Sequence, residues 1–215
     1  MAAVRAWLDD PMRKFLFLMG SARSGGNTEE LARQAAAQLP AAVGQQWLHL
    51  RDLPLPSFRD LRHLPGAAYG EPAGHERLLL DATLGATDLV IASPLYWYSV
   101  SACTKLYLDY WAGWLRVPGV DFKARMRGKT MWAISAISEE DPAKADPLLG
   151  TLKISADYMG MRWGGELLGY ANRPGDIVAN EKALTEARQL FALSGQQGLT
   201  VVSDRAGGTR DRSDD

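Results

Sequence analysis

The sequence is poor in residues that cross-link a chain or ligate metals. Cys103 is the single cysteine among 215 residues, and there are three histidines. One thiol cannot form an intrachain disulfide, a zinc site built from several thiolates, or an iron–sulfur cluster. These three classes of protein are therefore excluded.

The chain also lacks an excess of positive charge and a long apolar segment. Its 24 lysine and arginine residues are balanced by 25 aspartates and glutamates, which gives a formal net charge of −1. This balance does not favour the phosphate backbone of nucleic acids. No stretch reaches the roughly 18 apolar residues that span a bilayer, and the first residues do not resemble a secretory signal. We expect a cytoplasmic protein that binds neither nucleic acid nor a membrane.

The composition is that of a globular domain. Apolar residues make up 47% of the chain and charged residues 23%, which is enough apolar side chain for a core. No repeat or linker divides the sequence, and its length suits one domain. We assign residues 1–203 to this domain and expect residues 204–215 to form a disordered polar tail.

Short apolar runs alternate with segments of helical periodicity, as in βαβ units. The predicted strands are 15–19, 46–50, 89–92, 130–137 and 164–170. Five helices are predicted from the helical spacing of apolar residues. In chain order, the residues that show this spacing are Leu31 and Ala35; Leu78, Leu79 and Ala82; Leu108 and Trp111; Leu148 and Leu152; and Leu184 and Ala187. The pattern predicts a three-layer, doubly wound α/β fold with a five-stranded parallel sheet of order 2-1-3-4-5.

The loop after the first strand has the composition of an anion site. Its residues are Gly20, Ser21, Ala22, Arg23, Ser24, Gly25, Gly26, Asn27 and Thr28. Glycines allow close backbone approach, and the N-terminus of the following helix offers free N–H groups and a positive dipole end. Ser21, Arg23 and Thr28 could add charge-assisted hydrogen bonds. The alternative is a capping box formed by Asn27 and Glu30, but a cap does not need the arginine, the serines or the glycines.

Other familiar motifs do not fit. Gly26 stands where a Walker loop needs lysine, and no G-x-G-x-x-G follows the first strand, so an ATPase and a Rossmann dinucleotide site are disfavoured. We expect His49, His63 and His75 to be structural or solvated. His63 lies in a long loop, residues 50–74, which could act as a lid and reach the site.

The loop after the third strand places three aromatic residues beside a proline, in the order Pro94, Leu95, Tyr96, Trp97 and Tyr98. Adjacent aromatic rings cannot all face one core, so some should line the mouth of a site and could stack on a flat ligand. The alternative is a cluster that covers the end of the sheet or contacts another subunit. Because this loop and the glycine-rich loop meet at one edge of the predicted sheet, they favour a phosphorylated planar ring.

Two segments carry a resemblance to a known family. FLFLMGSARSGGNTEELA resembles the G-S-x-R-x-x-G-N-T segment of the flavodoxin-like NAD(P)H-dependent FMN reductases, and TDLVIASPLYWYSVSACTKLYLDYW resembles their S-P-x-Y-W-x-S-V-S-x-x-x-K-x-x-x-D segment. The similarity extends from about residue 14 to about residue 193. It implies a flavodoxin-like fold, bound FMN, and NADPH or NADH as co-substrate.

The resemblance also implies where FMN binds. The phosphate would be held by Ser21, Arg23, Asn27 and Thr28, and the isoalloxazine edge would lie along Pro94, Leu95, Tyr96 and Trp97. We also expect Ser24, Gly26 and Tyr98 of the same two loops to bind the cofactor. A glycine usually follows the Tyr-Trp pair in the family, so Tyr98 narrows the space in which a nicotinamide or an acceptor stacks. No catalytic side chain is assigned, because the cofactor performs the chemistry.

The implied reaction has two steps: NAD(P)H reduces the bound flavin and leaves, and a quinone-like or other small acceptor then takes the electrons. One alternative is a flavodoxin-type electron carrier that does not oxidise NAD(P)H. Such carriers resemble one another in being strongly acidic, which a net charge of −1 does not match. A flavin-free binding module is the other alternative.

The third predicted helix carries more aromatic residues than one buried stripe uses. They are Tyr107, Tyr110, Trp111 and Trp114, and their spacing distributes them over neighbouring faces. We therefore expect a second subunit to cover part of this surface, in a homodimer or a higher homo-oligomer.

Overall fold

The structure is a computed structural model that describes residues 13–197, with side chains as far as residue 192. The predicted polar tail lies outside the described residues. The strands are β1 (Lys14–Met19), β2 (Gly44–His49), β3 (Asp88–Ala92), β4 (Thr130–Ile137) and β5 (Arg162–Tyr170). The helices are α1 (Asn27–Ala36), α2 (Gly74–Gly85), α3 (Ala102–Trp114), α4 (Phe122–Met126), α5 (Asp146–Tyr158) and α6 (Glu181–Gln197).

The five strands form one parallel sheet in the order β2-β1-β3-β4-β5, which confirms the predicted topology. The strand bounds differ from the predicted ones by at most two residues, and those of β4 agree. Leu50, predicted to end β2, instead begins a 3-10 turn, Leu50–Asp52. Helix α4 was not predicted, because five residues are too few to show helical periodicity.

Each face of the sheet has its own core, so the fold has three layers. Phe15 and Phe17 of β1 pack with Leu31 of α1 and Phe191 of α6 on one face. Leu16 and Leu18 belong to the core on the other face, which is covered by α2, α3 and α5. Leu78, predicted on the buried face of α2, is 40% exposed, and Leu79, Leu80 and Leu84 are buried there instead.

The four aromatic residues of α3 are buried within the chain itself. The ring of Trp114 contacts Phe122 of α4. The Tyr110 hydroxyl donates to the Pro56 carbonyl at 3.0 Å, and the Tyr110 ring meets Phe58 of the long loop. The expectation that a second subunit covers these aromatics was wrong, because α4 and the long loop cover them. The homodimer stays a prediction without that support.

A buried ion pair joins the amino-terminal ends of the central strands. The guanidinium of Arg13 donates from both Nε and Nη2 to the carboxylate of Asp88, with 3.0 Å for the Nε bond. Trp132 Nε1 of β4 donates to the same carboxylate at 3.0 Å. Asp88 is 1% exposed, so its charge depends on these donors for compensation.

We predict that Asp88→Ala lowers the free energy of unfolding by about 3–5 kcal/mol, because it removes the buried carboxylate to which the guanidinium of Arg13 and the indole N–H of Trp132 donate. The measurement is urea denaturation of both proteins. The matched control is Asp81→Ala, which removes one carboxylate partner of the exposed Arg77 while Glu71 remains, and it should cost less than about 1 kcal/mol. Equal losses in the two variants would contradict this prediction.

Candidate functional site

The candidate site lies at the carboxyl ends of β1 and β3, which are neighbours in the sheet. The first loop (residues 20–26) leads from β1 into α1, and the aromatic loop (residues 93–101) leads from β3 into α3. The Gly20 N–H donates to the Ala92 carbonyl at 2.8 Å, so the two loops start side by side. After β1 the chain continues to β2 on one side of the sheet, whereas β3 lies on the other side of β1. The loops that follow β1 and β3 therefore lead in opposite directions, and a crevice opens between them.

Helix α1 begins without the predicted capping box. Its N-cap residue is Gly26, which makes no side-chain cap, and Asn27 already lies in the first turn. Glu30, the other half of the predicted box, accepts a hydrogen bond from Gln34 instead. The capping alternative was therefore wrong, and the positive end of the α1 dipole faces the first loop.

The side chains of Asn27 and Thr28 bond to other parts of the protein. Asn27 Nδ2 donates to the Arg173 carbonyl at 2.8 Å, and Asn27 Oδ1 accepts from the Gly175 N–H at 2.9 Å. Thr28 Oγ1 accepts from the Ala136 N–H at 3.2 Å. These bonds tie the start of α1 to the loop after β5 and to the end of β4. For a ligand, Asn27 keeps its backbone N–H and Thr28 its hydroxyl hydrogen.

Ser21, Arg23 and Ser24 have different environments. Ser21 is buried, and its Oγ accepts from the Arg23 N–H at 3.2 Å, which shapes the turn. Arg23 and Ser24 are exposed at the mouth of the crevice. The first loop therefore offers a guanidinium, a hydroxyl and backbone N–H groups to an incoming anion.

Glu29 is a buried charged residue of this region that the motif reasoning missed. It is 5% exposed, and its Oε2 accepts from the Gly25 N–H at 3.0 Å. Its Oε1 accepts from Arg33 Nη2 at 2.7 Å and lies 3.9 Å from His49 Nε2. Burial alone would raise the pKa of Glu29, but the bonds from Arg33 and Gly25, with His49 nearby, hold it below its usual value. The i,i+4 spacing of Glu29 and Arg33 is the sequence signal for this pair.

The aromatic loop folds into a tight two-residue turn. Tyr96 and Ser99 exchange two backbone hydrogen bonds of 3.1 Å each. Between them, Trp97 and Tyr98 have φ values of 49° and 62°, the type I′ arrangement that normally favours asparagine and glycine. Trp97 is 94% exposed, so this ring does not cover the end of the sheet. The turn thus carries aromatic side chains into solvent at the crevice.

A network of buried side chains joins the two loops. Ser93 Oγ accepts from the Ser101 N–H at 2.9 Å, and the hydroxyls of Ser101 and Thr104 are 2.9 Å apart. Cys103 Sγ donates to the Gly20 carbonyl at 3.3 Å. A methyl group added at Gly20 would lie 2.0 Å from Thr104 Oγ1, so only glycine fits there. Packing between the first turn of α3 and the first loop therefore fixes the distance between the two loops.

Of the three histidines, His49 lies near the first turn of α1, 3.9 Å from Glu29 Oε1, whereas His63 belongs to the long loop and His75 to α2. His63 belongs to the part of the long loop that packs against the last turn of α3. There the Tyr69 ring lies so close to Gly113 that a methyl group added at Gly113 would be 3.1 Å from it. The adjacent Arg62 is near Tyr158, at the end of α5. His75 bonds to the Pro54 carbonyl. Within residues 13–197, no group of three or more histidine, cysteine or acidic residues could hold a metal ion, and no helix is long and apolar enough to cross a membrane.

These observations define an α/β protein with an anion-suited loop and an aromatic loop at one crevice. The chain belongs to the family described as having a flavodoxin-like fold, whose model matches residues 13–192. It is 32% identical over 182 residues to YwqN of Bacillus subtilis (strain 168), whose name describes an NAD(P)H-dependent, FMN-containing oxidoreductase. That match covers 84% of this chain and 98% of the relative.

Solved structures share the architecture. A structure of the Trp repressor binding protein from Bacillus subtilis matches with a TM-score of 0.66 at 29% identity, over 82% of this chain and 96% of that chain. An FMN-dependent NADH-azoreductase from Bacillus anthracis str. Ames Ancestor, solved in complex with FMN, matches with a TM-score of 0.58 at 14% identity. This second match covers 86% of this chain and 98% of that chain, and it concerns the fold alone.

We predict that Tyr98→Gly raises the free energy of unfolding by about 0.5–1 kcal/mol. Glycine removes the cost of about 1–2 kcal/mol for a left-handed residue, and its own larger chain entropy offsets part of that gain. The urea midpoint measures the change. Tyr96→Gly is the matched control, because it also removes a tyrosine ring from this turn but at a residue without a positive φ. This control variant should lower the free energy of unfolding. If the two variants lose stability equally, strain at Tyr98 is not significant.

Proposed function

We propose that this chain is an FMN-dependent NAD(P)H oxidoreductase, which transfers hydride from NAD(P)H to bound FMN and then reduces a quinone-like or other small acceptor. The observation that carries the proposal is the meeting of two loops at one crevice. One loop supplies donors for a phosphate, and the other supplies aromatic surface for a planar ring. The name of the relative YwqN supports the same chemistry.

The donor set of the first loop fits the phosphate of FMN. The N-cap residue of α1, Gly26, leaves the end of the helix without a side-chain cap, so backbone N–H groups can donate to an anion. Exposed Arg23 and Ser24 would complete the shell, since a guanidinium bonds well to phosphate oxygens. Buried Ser21 supports the turn, and the bonds of Asn27 to the loop after β5 keep the start of α1 in place.

The aromatic loop fits the ring system. Tyr96 and Tyr98 are each 44% exposed and belong to a hydrogen-bonded turn in the loop that begins beside the first loop. They would orient a flat ligand by stacking and exclude water from one edge of it. When bound, FMN accepts hydride from a nicotinamide and delivers electrons to an acceptor. The protein's part is to bind and orient the partners, which needs no acid–base side chain.

The two other functions make different demands on the site. An electron carrier would bind FMN without a place for a nicotinamide. Tyr98, at the position where the resembled FMN reductases usually have glycine, narrows that place. A flavin-free module would require a first loop that no longer binds the phosphate of FMN. The nearly neutral net charge of −1 disfavours a carrier steered by charge.

Location and assembly are part of the proposal. We place the enzyme in the cytoplasm, because its single cysteine suits a reducing compartment. We also keep the homodimer, now on the ground that the exposed Trp97 ring leaves apolar surface beside the crevice for a second copy to cover.

We predict that purified protein reconstituted with FMN binds the flavin and loses its absorbance near 450 nm when NADPH or NADH is added without oxygen. The test is an anaerobic visible spectrum with each donor in turn. The donor that bleaches faster is the co-substrate. Bound flavin that stays oxidised with both donors would favour the electron carrier. No binding would favour the flavin-free module.

We predict that Arg23→Ala weakens FMN binding by about 1.5–3 kcal/mol, the scale of a hydrogen bond to a charged group. Fluorescence titration with FMN measures the affinity. Arg162→Ala is the charge-matched control, because this exposed arginine begins β5 at the opposite end of the sheet. Unchanged FMN affinity in Arg23→Ala would mean that the phosphate is held elsewhere.

A further inference from the structure

The buried carboxylate of Glu29 is unexpected beside a loop suited to an anion. A carboxylate removed from water is costly unless it is paired, and a negative charge near the first loop should repel a phosphate. Glu29 is nevertheless 5% exposed in the first turn of α1. Its bonds to the first loop and to Arg33 account for its position.

Glu29 fixes one peptide of the first loop. Gly25 has φ +62°, a left-handed conformation, and its N–H donates to Glu29 Oε2 at 3.0 Å. This bond sets the direction of the backbone between Arg23 and Gly26. The Gly25 N–H is thereby engaged within the protein, so the anion would be held by other N–H groups of the loop, whose orientation depends on this turn.

Arg33 holds Glu29 in place and cancels its charge. Arg33 donates to Glu29 Oε1 from Nη2 at 2.7 Å and from Nε at 3.2 Å. The guanidinium also lies 4.9 Å from the centre of the Trp47 ring, which stacks on Phe17 of β1 with ring centres 4.1 Å apart. The contacts thus run from the buried face of the sheet, through Arg33 and Glu29, to the first loop.

We propose that Glu29 is a positioning residue, which holds the first loop in its anion-binding shape through the Gly25 N–H, with Arg33 as its counter-ion. The inference rests on the proposed function, because the anion that the loop serves is the phosphate of FMN. Glu29 itself does not touch the cofactor. Its effect on affinity has a distinctive sign: charge alone would make removal of Glu29 favour a phosphate, whereas positioning makes removal harmful.

The experiment compares FMN with riboflavin, which has the same ring and no phosphate. Both flavins are titrated by fluorescence into the wild type, Glu29→Ala, Glu29→Gln and Glu29→Asp. Glu29→Ala should weaken FMN about tenfold, as expected for the loss of one hydrogen bond that orders the loop. Riboflavin affinity should change less than about twofold, since the ring is bound by the aromatic loop.

The other variants separate charge from geometry. Glu29→Gln keeps an acceptor oxygen at the same reach and should restore FMN affinity to within about threefold of the wild type. Glu29→Asp keeps the charge but is too short to reach Gly25, so it should weaken FMN selectively. Glu29→Asp also provides the test if Glu29→Ala does not fold. Glu30→Ala is the matched control, because it removes an equal charge from the same turn without a bond to the first loop.

Four results would overturn the proposal. The first is that Glu29→Ala and Glu29→Asp bind FMN as tightly as the wild type, or more tightly. In that case Glu29 would affect FMN binding through its charge alone and would not position the loop. Equal losses for FMN and riboflavin would assign it a merely structural role. A wild type that does not prefer FMN over riboflavin would overturn the phosphate site, and this inference with it. A wild-type preference that Glu29→Ala retains overturns the inference alone.

Discussion

The structure depends on the enclosure of β1. This strand pairs with β2 on one side and β3 on the other, and its apolar side chains enter the cores on both faces of the sheet. Because the direction of chain progression reverses at this strand, the loops that follow β1 and β3 diverge and leave a crevice. The site is therefore a consequence of strand order, and the loop residues determine only which ligand the crevice accepts.

Side chains and backbone have separate roles in this crevice. Asn27, Thr28 and Glu29 all bear groups that could meet a ligand, but each bonds instead to another segment of the protein. Their bonds hold the loop, and the groups that remain for a ligand are backbone N–H groups, the hydroxyl hydrogen of Thr28, and the exposed side chains of Arg23 and Ser24. A polar residue in a ligand-binding motif can thus serve the scaffold more than the ligand, which motif matching alone does not distinguish.

The sequence predicted the sheet well, because buried parallel strands are uninterrupted apolar runs and their order follows from the alternation with helices. It failed where long-range packing decides. The cover of Tyr110 and Trp114 comes from the long loop and α4, which have no periodicity to recognise. The bond from Asn27 to Arg173 joins residues 146 positions apart, and no local spacing indicates it. Residue preference also opposes the left-handed conformation of Trp97 and Tyr98, which lie between the two backbone hydrogen bonds that Tyr96 and Ser99 exchange.

The two bonds between Asn27 and the loop after β5 have a consequence for how the chain matures. The first loop and Asn27 leave the ribosome before Gly175, which bonds to Asn27 and lies 148 residues further along the chain. A nascent chain can form β1 and α1 long before their anchor exists, so the loop is complete only when β5 has been added at the edge of the sheet. The bonds that shape this crevice for a ligand therefore wait until residue 175 has been synthesised, and a chain truncated before that residue would retain the motif without the bonds that hold it in shape.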